Sequence, residues 1–338
     1  MYLLLVKVKV IGRSLAIGLI LLFWNWSSVI AAQPLSKRSR SQLGCEPIGR
    51  VLSNGDRRFT AGSLLCARDR LQPANGSFVE VLCYINGKIL QLKSGTAADK
   101  CTPQAKKVPP CTPENRSYCP KPKGPGAEAN TPALISPSSS SILSNRPGLS
   151  WYPVKRATSY IVEISGEGVN WQKVVAGTKL SYPKQQPAFG LGSAYKVKII
   201  ANEGDSYLSD SSAVLNVLTE SEVQQVRVAV KQIHSLNLPQ DETAFDLDVI
   251  YKSQDLLTEA INVLKARIQA GSRNPTVYRV LGDRYLEAGL PDFAKQEYTM
   301  ATTLARKADN AFELTKAQAG LKQVELYSQL PTRRNPAQ

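Results

Sequence analysis

Residues in the last third of the chain recur at a fixed spacing of 34 positions. The recurring residues are aliphatic, aromatic or small: Leu247, Tyr251, Ala260 and Leu264, and then Leu281, Tyr285, Ala294 and Tyr298. A period of this length is typical of helical repeats, in which each unit buries its apolar face only against its neighbours. The spacing therefore predicts an all-α helical array over residues 219–330.

The second copy of the repeat, residues 275–308, has the more complete pattern. Its pattern residues are Tyr278, Leu281, Gly282, Tyr285, Gly289, Ala294, Tyr298 and Ala301. This pattern resembles the tetratricopeptide repeat, a helix–turn–helix unit. We expect small Gly282 and Ala294 to let the two helices approach closely, and Tyr298 to fill space between repeats together with Tyr285. The first copy, 241–274, departs from the pattern at Asp248, which stands where the second copy has Gly282.

Two repeats leave apolar faces uncovered at both ends, so further helices are needed to cap the array. A capping box, Thr219 with Glu222, begins a helix predicted over 220–236 whose apolar residues lie on one face. A second capping helix is predicted over 310–328.

The resemblance also implies a concave groove, lined by the first helix of each repeat, that binds a protein partner. The groove residues that it implies are Phe245, Val249, Lys252, Arg279, Asp283 and Leu286. Arg279 directly follows core-facing Tyr278 and so lies about 100° around the helix, where we expect it to face the groove. The array thus predicts a scaffold or adaptor.

The N-terminus has the layout of an export signal. Three basic residues precede an apolar run over 14–26, and the small residues Ala31 and Ala32 follow. This layout predicts a signal peptide over residues 1–32 and export to the periplasm, the extracellular side or the cell envelope. An uncleaved anchor that keeps the chain at a membrane is the alternative.

All the cysteines lie early in the exported part of the chain: Cys45, Cys66, Cys83, Cys101, Cys111 and Cys119. An even number of cysteines behind an export signal predicts disulfides. We expect one bridge between Cys111 and Cys119, and the other four cysteines to cross-link one domain. Zinc is the rival interpretation, but it favours closely spaced ligand pairs, and the chain's single histidine, His234, is distant.

Residues 33–101 read as a small all-β domain that contains cysteines. Asn86-Gly87 separates two short β-like runs, which is a strong hairpin signal, and Asn54-Gly55 suggests a second turn. Segments 62–71, 76–81 and 87–92 resemble the small β domains of bacterial FecR-like envelope proteins. Because such a domain has little core, disulfides are expected to stabilise it.

A proline-rich linker over 102–134 is followed by a predicted β-sandwich over 135–218. Trp151 and the segment 189–195, which ends at Tyr195, resemble the buried tryptophan and the tyrosine corner of a fibronectin type III domain. Leu191 departs from that pattern, since proline is usual there. Trp171 is either a core residue or, if exposed, a platform that stacks on a sugar ring.

The chain carries a formal net charge of +15, concentrated near the N-terminus. Residues 33–125 contain 16 Lys and Arg against 6 Asp and Glu, whereas residues 220–338 contain 15 of each. In an exported protein this field suits an anionic envelope polysaccharide rather than nucleic acid, although it also favours solubility. The expected polymer contacts are Arg50, Arg57, Arg58, Arg68 and Arg70.

The sequence offers little for catalysis. It has one histidine, its acidic residues are dispersed, and it contains neither a phosphate-binding glycine loop nor a hydrolase nucleophile or metalloprotease motif. The sequence therefore predicts a non-enzyme without cofactor or metal. Two functions stay open: a scaffold that binds a protein through the array, and a binder of anionic envelope polymer that uses the basic β domain.

Export gives the first testable prediction. We expect cleavage after Ala31 or Ala32, because charge, apolar run and small residues occur in the order that signal peptidase requires. N-terminal sequencing of the protein from its native host measures this. A product that begins at Met1 and fractionates with membranes would mean that the run is an anchor.

Overall fold

A computed structural model describes residues 45–102, 123 and 130–328 of the chain. Within these ranges lie a small β domain, a two-sheet β region and a helical array, and no helix among them is long and apolar enough to cross a membrane. The predicted signal peptide, Cys111 and Cys119 fall outside the described residues.

The small β domain, residues 45–102, is called the disulfide domain below. Its elements are β1 (Gly49–Val51), β2 (Leu64–Leu65), β3 (Arg70–Leu71), β4 (Val79–Cys83), β5 (Ile89–Leu92), β6 (Gly95–Thr96) and α1 (Ala97–Lys100). One antiparallel sheet has the order β2-β1-β4-β5, and β3 pairs with β6. Asn86-Gly87 forms the predicted hairpin between β4 and β5, whereas Asn54-Gly55 lies in the longer loop from β1 to β2.

Two disulfides cross-link this domain, as the cysteine pattern predicted. Cys45 is bonded to Cys66, and Cys83 to Cys101. Both Cys83 and Cys101 lie in a small apolar core together with residues of β1, β3 and β4. Since a domain of this size buries little apolar surface, these covalent links supply stability that its core cannot.

The middle region consists of two β-sheets that share one core. Its strands are β7 (Leu134–Ser136), β8 (Ser141–Ile142), β9 (Leu149–Trp151), β10 (Ser159–Gly166), β11 (Val169–Val175), β12 (Lys179–Leu180), β13 (Ala194–Glu203) and β14 (Ser206–Val217). The sheets have the orders β11-β10-β13-β14-β8 and β12-β9-β7. Trp151 is buried between them, and Trp171 is also a core residue that packs edge-on against Tyr182.

The array consists of α2 (Glu220–Ser235), α3 (Gln240–Ser253), α4 (Leu257–Gln269), α5 (Pro275–Glu287), α6 (Pro291–Lys307) and α7 (Ala311–Ser328). The predicted capping box is confirmed: the Thr219 side chain accepts the Glu222 backbone N–H, and the Glu222 side chain accepts the Thr219 N–H. Each helix packs against the next, and α5 also packs against α7. The predicted capping helices correspond to α2 and α7.

The two-sheet region packs against the array through polar and apolar contacts. The Ser138 backbone N–H donates to Thr258 Oγ1 at 2.8 Å, and Ser139 Oγ donates to the carbonyl of Asp255 at 2.8 Å. Tyr152 joins the apolar core of the array, where its ring lies 6.2 Å from that of Phe293. The array is therefore covered by β structure on this side.

Tyr298 occupies a slot between two glycines of different helices. A Cβ atom added at Gly282 in α5 would lie 2.8 Å from Tyr298 Cε1, and one added at Gly320 in α7 would lie 2.4 Å from it. The Tyr298 hydroxyl donates to Asp283 at 2.7 Å, which fixes the ring in place. The predicted close packing at Gly282 is confirmed, and Gly320 provides the opposite wall.

This slot generates a stability prediction. Gly320→Ala should lower the free energy of unfolding by about 1–3 kcal/mol, because the ring between two glycines has no room to move aside. In an unstrained helix, replacing glycine by alanine raises the free energy of unfolding by up to ~1 kcal/mol. A loss of stability in Gly320→Ala would therefore indicate steric conflict with Tyr298.

The control is Gly148→Ala in the loop before β9, since a Cβ atom at Gly148 would meet no atom within 4 Å. It should not destabilise the chain. Denaturant unfolding of both variants measures the effect, and a stabilised Gly320→Ala variant would contradict the slot.

Candidate functional site

The disulfide domain docks on the array through alternate residues of its strands. In β4, Val79, Val81 and Cys83 face the core of the domain, whereas Leu82 packs with Ile233 of α2 and with residues of α3. A strand alternates its side chains between two faces, so one face of this sheet is committed to the core and the other to the array.

Arg50 of β1 is the central residue of this interface, with 2% of its surface exposed. Its guanidinium lies 2.5 Å from Glu242 Oε2, also forms an ion pair with Asp246, and donates to the carbonyl of Gly62 at 2.8 Å. The Tyr84 hydroxyl donates to Asp246 Oδ1 at 2.6 Å. A buried cation is thus matched by two carboxylates from the first turns of α3.

Electrostatics favour the charged form of Arg50 despite its burial. Burial acts to lower the pKa of Arg50, but Tyr84, Asp246 and Glu242 together raise this pKa above its ordinary value. Withdrawing charges from water costs several kcal/mol per ion, a cost that is offset only when all the partners are in place. The pairing therefore selects one docked orientation.

Apolar and polar contacts surround the ion pairs. Leu52 and Leu82 pack with Ile233, Leu247 and Ile250 of the array. Two polar pairs and one glycine make further contacts. Gln232 donates to Glu80 at 2.6 Å, and Lys316 lies 2.6 Å from Glu46. A Cβ atom at Gly87 would lie 2.9 Å from the Val249 carbonyl and 2.2 Å from Ser253 Cβ.

The docked domain occupies part of the predicted groove. We call the surface formed by α3, α5 and α7 on this side the first-helix face. Val249 is half-buried, and its backbone carbonyl faces Gly87 of the disulfide domain. Lys252 is exposed and lies 2.5 Å from Glu287 of α5. Of the six groove residues predicted from sequence, Lys252 is the most open to solvent.

Two of the predicted groove residues are not at the surface. Phe245 and Leu286 are 3% and 4% exposed and belong to the apolar core that also contains Tyr285. The expectation that they line an accessible groove is wrong, because the packing of α3 and α5 against their neighbours turns these side chains inward.

Arg279 and Asp283 belong to a polar network rather than to an open groove. Arg279 Nε donates to Glu313 Oε2 at 2.6 Å and Nη1 to Asp283 Oδ2 at 2.8 Å, so it links α5 to α7. Burial raises the pKa of Asp283 even though Arg279 acts to lower it. Arg279 is therefore expected to support the fold, contrary to its predicted role as a free groove residue.

A second buried ion pair was not expected from the sequence. Arg284 makes a two-pronged contact with Asp248, with both hydrogen bonds at 2.7 Å, and so joins α5 to α3. Burial acts to raise the pKa of Glu287, but Arg284 and Lys252 outweigh it and hold that pKa below its usual value. In the sequence, the only sign of this ion pair was Asp248, which stands where the second repeat has Gly282.

The five arginines predicted to contact polymer fall into two groups. Arg57, Arg58, Arg68 and Arg70 are exposed, and none forms an ion pair with another residue in the described ranges. Arg50 is buried against Glu242 and Asp246, so its predicted contact with a polymer is wrong. Within the described residues, no cluster of His, Cys, Asp and Glu could hold a metal ion.

No model of a known protein family matches the sequence, and no curated protein matches it either. Among solved structures, the chain is similar to PcrH from Pseudomonas aeruginosa, with 18% identity and a TM-score of 0.27, over 31% of this chain and 83% of PcrH. It is also similar to PcrH in complex with the chaperone binding region of PopB, with 17% identity and a TM-score of 0.26, over 30% of this chain and 86% of that one. Similarity at this level carries no inference about function.

The buried pairing predicts a large effect of one substitution. Arg50→Ala should lower the free energy of unfolding by about 3–5 kcal/mol, because it leaves Glu242 and Asp246 buried without their cation. Arg57→Ala, which removes an exposed arginine of the same domain, should change it by less than about 0.5 kcal/mol.

A triple variant separates lost charge pairing from lost packing. Arg50→Met combined with Glu242→Gln and Asp246→Asn removes all three charges and keeps the side-chain volumes similar, so it should recover most of the loss. Denaturant titration measures all variants. Equal stability of Arg50→Ala and the parent chain would show that the pairing does not hold the domain.

Proposed function

We propose that this protein is an exported, non-catalytic scaffold whose helical array binds protein through its first-helix face. The observation that carries the proposal is that this face already holds a folded domain. The interface combines a buried arginine, two carboxylates and an apolar surround. Central, well-packed anchors of this kind dominate the energy of protein interfaces.

A partner in another molecule would bind where the face stays open. Lys252 and Glu287 have side chains 47% and 39% exposed, at the C-terminal ends of α3 and α5. Asp283, one turn earlier in α5, keeps 37% of its side chain exposed although it is also paired with Arg279. This charged end adjoins the disulfide domain at Gly87, so a partner here would touch both the array and the domain.

The finer family assignments are part of the proposal. A tetratricopeptide-like array is supported by the 34-residue spacing and by the close contact of Gly282 with Tyr298. A fibronectin type III-like sandwich is supported by two sheets around Trp151 and by the Tyr195 hydroxyl, which accepts the N–H of Gly190 at 2.7 Å. The disulfide domain is proposed as FecR-like on its sequence resemblance alone.

Export and the absence of catalysis complete the proposal. Two disulfides suit an oxidising compartment, and the leader sequence supports delivery to the periplasm or cell envelope. The four most buried carboxylates of the array, Glu242, Asp246, Asp248 and Glu313, are paired with arginines. This arrangement holds helices together and leaves these carboxylates poorly placed for acid–base chemistry. In a scaffold, these paired charges would serve to hold the helices in place.

Binding of an anionic envelope polymer is a second candidate function. Four exposed arginines of the disulfide domain favour it, because they carry charge that no ion pair among the described residues neutralises. The two functions are compatible, since they use different surfaces of the chain.

Photo-cross-linking tests the scaffold function. Lys252→p-benzoylphenylalanine in the full chain, expressed in the native host, should give a covalent adduct with a protein partner, because this position lies at the open end of the first-helix face. The same replacement of Lys295, exposed on α6, is the matched control and should give none. Mass spectrometry of the adducts measures the outcome. Equal adducts from both positions, or none from position 252, would contradict the proposal.

A further inference from the structure

The disulfide domain has a second face, on the side away from the array, that carries exposed polar and basic side chains. Leu71 of β3 lies in the domain core with Val79 and Val81, the residues of β4 that point away from the array. Its neighbours Arg70 and Gln72 are exposed. Because side chains alternate along a strand, Arg70 and Gln72 point outward from the far side of that core.

Backbone contacts bring further cations to β3. The Arg57 N–H donates to the carbonyl of Gln72 at 3.1 Å, which places Arg57 beside the end of this strand. Arg70 pairs with Thr96 of β6, and α1 follows directly. The Ala98 N–H donates to the carbonyl of Ala67 at 3.2 Å, which places the loop that carries Arg68 against α1.

These cations form one group, which we call the basic strip: Arg57, Arg68, Arg70 and Lys100. All four side chains are exposed, and Arg58 adjoins the strip at one end. The side chain of Lys100 passes Gly95 of β6, where a Cβ atom would lie 3.5 Å from its Cε. The strip therefore follows β3 and β6 from one end to the other.

Three acidic residues lie beside these cations, and none of the three forms an ion pair with them among the residues that the structure describes. Both oxygens of Asp56 accept backbone N–H groups, from Arg58, Phe59 and Gln72. Asp69 accepts the N–H of Cys66 at 2.7 Å. Asp99 is exposed on α1 and is the one acid beside the strip without such a bond among those that the structure describes. The local balance stays positive.

We propose that the basic strip binds an extended anionic polysaccharide. Guanidinium groups form charge-assisted, two-pronged hydrogen bonds with carboxylates, and an extended row of them matches the repeating acid groups of a linear polymer. Gln72 and Thr96 lie between the cations and can hydrogen-bond sugar hydroxyls, whereas a bilayer-inserting surface would carry apolar side chains there. The inference rests on the second function proposed above, and it adds Lys100, Gln72 and Thr96 to the site and a linear, extended form to the ligand.

Polygalacturonate, a linear polymer of uronic acid, is the probe. The full chain should bind it in 50 mM salt, and binding should weaken in 200 mM salt because exposed charges are screened. The variant Arg57→Gln/Arg68→Gln/Arg70→Gln should bind about tenfold more weakly, because it removes three exposed cations that would each form a modest ion pair with the polymer. Biolayer interferometry measures the affinity, and thermal melts check that the variant folds.

The matched control is Arg227→Gln/Arg273→Gln/Arg306→Gln, which removes the same charge from exposed arginines of the array. Its affinity should stay within about twofold of the parent chain. Equal weakening by both triple variants would leave polymer binding intact but remove the strip as its site. Absence of binding to the polymer, or binding only to phosphatidylglycerol vesicles, would overturn the second function itself. The scaffold function would be unaffected by either result, because cross-linking at Lys252 tests it separately.

Discussion

The burial of Arg50 between Glu242 and Asp246 is the constraint on which the arrangement of the chain depends. Water is excluded from these charges, so any shift of the disulfide domain would separate them at a cost that surface contacts could not offset. The apolar residues around these ion pairs hold the disulfide domain against the array, and the ion pairs fix the orientation in which it docks. One face of the domain is thereby committed, and the basic strip is left on the other.

The helical array depends in turn on its neighbours in the chain. Two repeats bury too little apolar surface to be stable alone. Here the disulfide domain covers part of α2 and α3, while Tyr152 of the two-sheet region packs into the core beside Phe293. The repeats are also joined by Arg284 with Asp248 and by Arg279 with Glu313. Contacts from both neighbouring regions and ion pairs between helices thus stabilise a short and degenerate array.

Ion pairs between the helices bear on the proposed scaffold function. A surface whose side chains are fixed by ion pairs loses little conformational entropy on binding, so a partner meets a pre-formed site. The open part of the first-helix face is the end near Lys252 and Glu287, since other residues of this face are buried or covered by the disulfide domain. The proposed protein site is thus a small charged surface, and the proposed polymer site is a separate basic surface.

The sequence alone determined the local features: the helical array from its 34-residue spacing, the capping box at Thr219, the hairpin at Asn86-Gly87 and the disulfide bonding of the first four cysteines. These features depend on residues close in the chain or on a regular period. Only the tertiary structure decided that Arg50 is buried, that Phe245 and Leu286 face the core, and that Gly320 walls the ring of Tyr298. Each of these depends on contacts between residues distant in sequence, and no local pattern encodes which surface of a domain meets which helix.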